Sequence, residues 1–153
     1  VGLANPDTQK QVLDSWRSYE RLGSPEGDIA LVMSVITLSL SPKSNSVYLA
    51  EKESQKFAKK HSTKQPPRHI LNSPTALMDS LGYGLGYKYD HDFKAGFSGQ
   101  NYFPDGIKRP IFYHPIERGY ERELKKRVLY FSRLRNKIQQ SDYEMKGNIP
   151  KND

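Results

Sequence analysis

Residues 24–43 read SPEGDIALVMSVITLSLSPK, and this stretch decides the fold. Between Ile29 and Leu40 nine of the twelve residues are apolar and none is charged. Ser24-Pro25-Glu26 supplies a helix start: a side-chain oxygen, a proline whose missing N–H costs nothing in the first turn, and an acid facing the positive helix end. The many β-branched residues would also suit a strand, but a capped run that ends only at Pro42 is too long for an ordinary buried strand. The reading is a helix over 25–41, apolar nearly all round and hence buried as the central core element. On that reading a charge placed at Leu31 or Ile36 unfolds the domain. Ser34, Thr37 and Ser41 fall on one stripe, where small side chains let a neighbouring helix come close.

Working outward, Asn5-Pro6-Asp7 repeats the start signal, and Val12, Leu13, Trp16 and Tyr19 follow at helical spacing up to a C-terminal Gly23, which gives a helix over 6–22. Downstream, Ser44 caps a third helix over 44–60 with Val47, Ala50, Phe57 and Ala58 on one face and a solvated run of Glu and Lys on the other. A loop with Pro66-Pro67 leads to a short helix over 74–81, stopped by Gly82. From Gly82 to Tyr113 helical periodicity disappears. Six glycines and nine of the chain's 17 aromatics crowd this segment, which reads as irregular or as short strands held down by packed rings. A last long helix over 117–139 presents Tyr120, Leu124, Val128, Phe131, Leu134 and Ile138 inward. The expected fold is mainly α, with one helical domain over 1–140 and a flexible tail over 141–153.

The chain has 153 residues, a size that supports a core, yet only 35% are hydrophobic and the mean hydropathy is −0.80. The apolar material is therefore concentrated in a few elements, and the aromatics argue against intrinsic disorder. Lys and Arg number 24 against 17 acids, a net +7 that permits an acidic partner without establishing one. The absence of cysteine excludes disulfides, zinc ribbons and thiol catalysis. The longest apolar stretch falls short of the ~20 residues of a membrane span, so a soluble protein is expected. The opening residues from Val1 read as the tail of an element begun upstream, which makes the chain a fragment.

No motif assigns catalysis. Gly82-Tyr83-Gly84-Leu85-Gly86 has the wrong spacing for a dinucleotide fingerprint and lacks the Lys-Ser/Thr of a Walker A loop. Its glycines read as turn residues. Asp90-His91-Asp92 places three ligands in a row, but adjacent side chains diverge, and His61, His69 and His114 are scattered. No Gly-x-Ser-x-Gly elbow is present, which leaves a small hydrolase with a dispersed triad as a remote reading. Catalytic, cofactor and metal residues are thus assigned to none. Tyr87-Lys88-Tyr89 and Lys108-Arg109 mix basic and aromatic residues as single-strand binders do, although rings packed on a core explain them more simply. On the last helix eight basic residues from Arg118 to Lys137 face three acids, Glu117, Glu121 and Glu123. Its outward positions Lys125, Lys126, Arg133 and Lys137 are the candidate DNA or partner contacts, with a weak, salt-sensitive grip expected. A solvated face accounts for them equally well.

Read as strings, the segments carry a resemblance. VGLANP at 1–6, RLGSPEG at 21–27, LSPKSNSVY at 40–48, NSPTALMDSLGYGLGYKY at 72–89, QNYFPD at 100–105 and ERGYE at 117–121 occur in order and cover about residues 1 to 135. They resemble the C-terminal region of the replication-associated recombination protein A (RarA/MgsA-type) family of AAA+ ATPases. Phe103, where the family pattern has Leu, and Gly106 and Pro110 depart from it. The resemblance implies a helical module related to clamp-loader collars, through which subunits assemble as a homotetramer. It implies ATP and Mg bound in an upstream AAA+ domain, not here, so the fragment is no enzyme while its parent is a DNA-dependent ATPase of replication forks and recombination. It further implies single-strand DNA-binding protein as a partner and a cytoplasmic, nucleoid-associated setting. The rival reading is a free-standing nucleic-acid- or partner-binding domain that uses the basic last helix.

Overall fold

In the computed structural model the backbone of residues 1–147 and the side chains of residues 1–140 are described. Among the described residues there are five α-helices and no strand: α1 (Thr8–Leu22), α2 (Glu26–Leu40), α3 (Ser46–Lys60), α4 (Ala76–Ser80) and the long α5 (Glu121–Gly147). The mainly helical class follows the sequence reading, and the ends move for local reasons. α1 begins two residues late because the Asn5 side chain is used elsewhere, its amide donating to Ser41 Oγ at 3.1 Å. The Asn5 carbonyl accepts the N–H and hydroxyl of Thr8. α4 is capped by the Thr75 hydroxyl, which accepts from Met78 N at 3.3 Å. α5 starts at Glu121 rather than near 117 because Gly119, at φ 51, turns the chain first. It runs on to Gly147, beyond the expected end near 139. Of the expected tail over 141–153, residues 148–153 lie outside the described residues.

The chain divides into two compact units: Val1–Ala58 with Ile111–Arg127, and Lys59–Pro110 with Val128–Asp153. In the first, α1 and α2 meet along a seam of small and polar side chains. Ser34 Oγ donates to Ser15 Oγ at 2.7 Å, both buried, and Gln11 Nε2 donates to Thr37 Oγ1 at 2.9 Å. Gly27 is buried under Tyr19, where an added Cβ would stand 2.7 Å from the Tyr19 Cα. The small-residue stripe thus brings the helices together as expected.

The expectation that α2 is buried nearly all round does not hold. Ile29, Val32, Met33, Val35 and Ile36 are each more than half exposed, and Leu40 is 81% exposed. The physical reason is the seam: two helices that touch through serines, threonine and glycine cover one narrow stripe, and the bulky side chains point away from it. A charge at Ile36 therefore enters solvent rather than a core, and Leu31 is only half-buried, so unfolding by Leu31→Asp or Ile36→Asp is no longer expected. Among the described residues Ala4 and Pro67 are the buried apolar side chains. The inward stripe of α5 is likewise covered only in part: Leu124, Leu134 and Ile138 are half-buried, while Tyr120, Val128 and Phe131 are exposed.

In the second unit the glycine-rich segment is a chain of turns. Gly82, Gly84 and Gly86 all take positive φ, and the N–H groups of residues 82 to 85 and of Tyr87 are spent on carbonyls of Asp79, Met78, Arg68, Gly82 and Gly84. An anion would find those donors occupied. The Ser98 hydroxyl and N–H hold the Asp90 carboxyl below the usual carboxylate range, with Ser98 N donating to Oδ1 at 2.7 Å. The loop around Phe97 reaches α5 through that ring, which lies 5.3 Å from the ring of Phe131, and through Gly99, whose added Cβ would lie 3.5 Å from Ile138.

Candidate functional site

The first unit is closed by a buried carboxylate. Glu121, fully enclosed at 0% exposure, opens α5. The hydroxyls of Ser44, at 2.9 Å, and of Ser46 donate to its Oε1, while Ile116 N donates to Oε2 at 2.8 Å. Burial opposes its ionisation most strongly, but the bonds from Ser46, Ile116 and Ser44, with the Tyr113 hydroxyl nearby, together outweigh burial and hold the carboxyl below its ordinary value. Tyr113 Oη is buried beside it without a hydrogen bond of good geometry. Burial first, and then the Glu121 charge, push that phenol up. Just before the helix, Gly119 lies so close to Ala4 that a Cβ would stand 2.0 Å from the Ala4 carbonyl oxygen, to which Tyr120 N donates at 2.8 Å. The start of α5, the head of α3 and the first residues of the chain are thereby locked together.

What this scaffold displays is the outer side of α1 and α2. Leu13, Trp16, Val32, Val35, Ile36 and Leu40 are all exposed, and α2 carries no charge between Ile29 and Leu40. At its edge lies an apolar recess of about 600 Å³ lined by Leu3, Val12, Leu13, Leu38 and Val47 among others. Contiguous exposed apolar surface of this kind is found at protein–protein contacts, membrane-facing sites and ligand grooves.

The four basic positions singled out on the last helix do not form one free patch. Lys125 Nζ lies 2.5 Å from Glu117 Oε1, and Lys126 Nζ lies 2.7 Å from Glu123 Oε1, so both charges are locally compensated. The bond from Lys125, and then its charge, hold the Glu117 carboxyl below its usual range. Arg133 and Lys137 are exposed farther along the helix. Two residues escaped the sequence reading. Glu121 looks like part of a charged face, since Arg122 and Glu123 follow it, and its serine partners lie 75 and 77 residues away. Arg135 counts only as one of eight basic residues on the last helix, yet it is half-buried with its guanidinium 5.0 Å from the Phe97 ring centre. The signal available for Arg135 was its position four residues after Phe131 on the inward stripe.

The family model described as the C terminal of MgsA AAA+ ATPases matches residues 1–132. The chain belongs to that family. It is similar to the replication-associated recombination protein A of Coxiella burnetii, at 37% identity over 135 residues, covering 88% of this chain and 31% of that protein. The protein of the same name from Haemophilus influenzae is 39% identical over 129 residues, 84% of this chain and 29% of the relative. That of Escherichia coli K12 is 33% identical over 133 residues, 86% and 30% respectively. The chain thus spans about three-tenths of the length of these curated relatives. Among the described residues no helix is long and apolar enough to cross a membrane.

Proposed function

We infer that this chain is the assembly module of a AAA+ ATPase engaged in replication-fork maintenance and recombination, and that copies meet through the outer face of α2. The observation that carries the reading is the exposure of a helix stretch without charge between Ile29 and Leu40: Ile29, Val32, Met33, Val35, Ile36 and Leu40 stand in solvent although each favours burial. The occupant of that face is a second copy of this chain. A symmetric interface sets the same patch against itself, and a face without charge can do so without like-charge repulsion. The ensemble is a homotetramer, as the resemblance implies. ATP and Mg belong to the upstream part of the relatives' length that this chain does not span, and single-strand DNA-binding protein and DNA contact the whole assembly in a cytoplasmic, nucleoid-associated setting. The rival reading, a free-standing nucleic-acid module on the basic helix, is weakened by the pairing of Lys125 and Lys126.

Light scattering coupled to size exclusion tests this. The chain is expected to elute as a homo-oligomer, and Ile36→Asp is expected to give a folded monomer with unchanged helical circular dichroism. A parent that stays monomeric at high concentration overturns the reading and leaves α2 as a face covered by the rest of its own polypeptide.

A further inference from the structure

We propose that Arg135 and Arg109 form a phosphate-binding site for single-stranded nucleic acid on the second unit, with Tyr130 and Phe131 as the platform for its bases. Arg135 Nε is buried and has no hydrogen-bond partner, and no carboxylate pairs with this guanidinium among the described residues. Arg109 is close enough to repel it. Burial first, and then the Arg109 charge, push the Arg135 guanidinium down from its ordinary value. Two like charges, one of them half-buried with an unused donor, cost free energy that a bound anion removes from both.

The surroundings select the anion. Arg135 stacks on Phe97 at 5.0 Å and Arg109 lies 5.9 Å from the Phe103 ring centre. A guanidinium stacked on a ring spends its face and keeps its N–H edge for a phosphate or carboxylate. One turn before Arg135 and on the same face of α5, Phe131 is 43% exposed, and Tyr130, 57% exposed on the adjoining face, meets its ring at 5.3 Å and an edge-on angle of 74°. Open rings beside a cation suit unstacked bases next to their phosphates. An acidic peptide would satisfy the guanidinium but has no use for the rings. Arg133 and Lys137, exposed on the same stretch of α5, lengthen the basic track. The site lies in the unit that does not carry α2, so its failure leaves the assembly reading standing, and the converse.

The test is fluorescence anisotropy of the whole 153-residue chain with a fluorescein-labelled oligothymidylate, and with a labelled oligoglutamate as the competing class. Arg135→Met keeps the packing on Phe97 and removes the charge, and Arg109→Gln changes an exposed residue. Each is expected to weaken oligothymidylate binding about tenfold, the scale of a charge-assisted hydrogen bond. Each should also flatten the log–log salt dependence by about 0.7 for every phosphate that is no longer neutralised. Arg17→Gln, whose partner is Asp14, serves as the charge-matched control and is expected to bind like the parent. Relief of the repulsion should leave the melting temperature of Arg135→Met no lower than that of the parent. The proposal falls if the parent does not bind oligothymidylate, if it prefers oligoglutamate, or if either arginine variant binds like the parent. Should Arg135→Met melt early, Arg109→Gln decides alone.

Discussion

The two units solve the same problem with different materials. The first is held largely by polar contacts, Ser15 to Ser34 along the α1–α2 seam and the serines around Glu121, with one ring pair, Phe57 against Phe112, while Ile29, Val32, Val35, Ile36 and Leu40 face outward. The second is held by rings, Phe97 against Phe131 and Arg135 over Phe97, with glycine turns whose backbone donors are internally spent. The apolar side chains left exposed on α2 are the surface on which the proposed contact between copies rests. The second unit packs Phe97 against Phe131 but leaves Tyr87, Tyr89, Tyr102 and Tyr130 open to solvent.

If that contrast is right, the largest effect belongs to Glu121. Glu121→Ala leaves two serine hydroxyls and the Ile116 N–H without their acceptor and is expected to cost about 3 kcal/mol or more, the scale of breaking a buried charged network. Trp16, the single tryptophan, sits on α1 and reports on the first unit alone, so its fluorescence transition should move to much lower denaturant. The parent should carry a matching acid signature. Because the folded-state carboxyl lies below its ordinary value, its stabilisation is complete above about pH 4.3 and is lost as pH falls from there through the folded-state value. Glu121→Gln should abolish that slope, and a variant with the parental acid profile would show that other carboxylates govern it.

A smaller effect, in the other unit, is expected from Phe97→Ala, which strips half-buried ring contacts with Phe131 and Arg135 and should cost roughly 2 kcal/mol. Far-UV circular dichroism should register the change while Trp16 fluorescence moves little. Coincident shifts of both signals would mean that the two units unfold together and would break the comparison.

How far this was legible depends on the range of each interaction. Helix existence was local: proline starts, glycine stops and apolar spacing placed the starts of all five helices within a few residues. The contacting stripe of α2 was legible too, because Ser34, Thr37 and Ser41 recur at helical spacing. What failed was the inference from apolar to buried, since a helix apolar on every side carries no periodicity to say which side is covered. Glu121 failed for a different reason. Its burial depends on Ser44 and Ser46 far upstream, and nothing near position 121 distinguishes it from the solvated acids Glu117 and Glu123. Lys125, Lys126, Arg133 and Lys137 do lie on α5, but nothing local foretold that Lys125 and Lys126 would be compensated.

The smallest expected effect concerns those two. Lys125→Gln with Lys126→Gln removes only exposed ion pairs, so stability should change by less than about 1 kcal/mol. Affinity for oligothymidylate should fall less than in Arg135→Met. A larger drop from the lysine pair than from Arg135 would move the nucleic-acid contact back to the first turns of α5.

The bond from Tyr120 N to the Ala4 carbonyl joins residues 116 apart in sequence, and the bond from Ser46 to Glu121 joins residues 75 apart. The first unit is therefore discontinuous, and its closing group is made late. During synthesis α1, α2 and α3 emerge with their apolar side chains showing and without the carboxylate that ties them together, and the loop closed by Glu121 must form across the whole of the intervening segment. A chain halted at Pro110 has every residue of the α1–α2 seam and lacks its lock. Quality control on a nascent or truncated chain would meet an open helix pair with an adhesive outer face, the state most exposed to premature association.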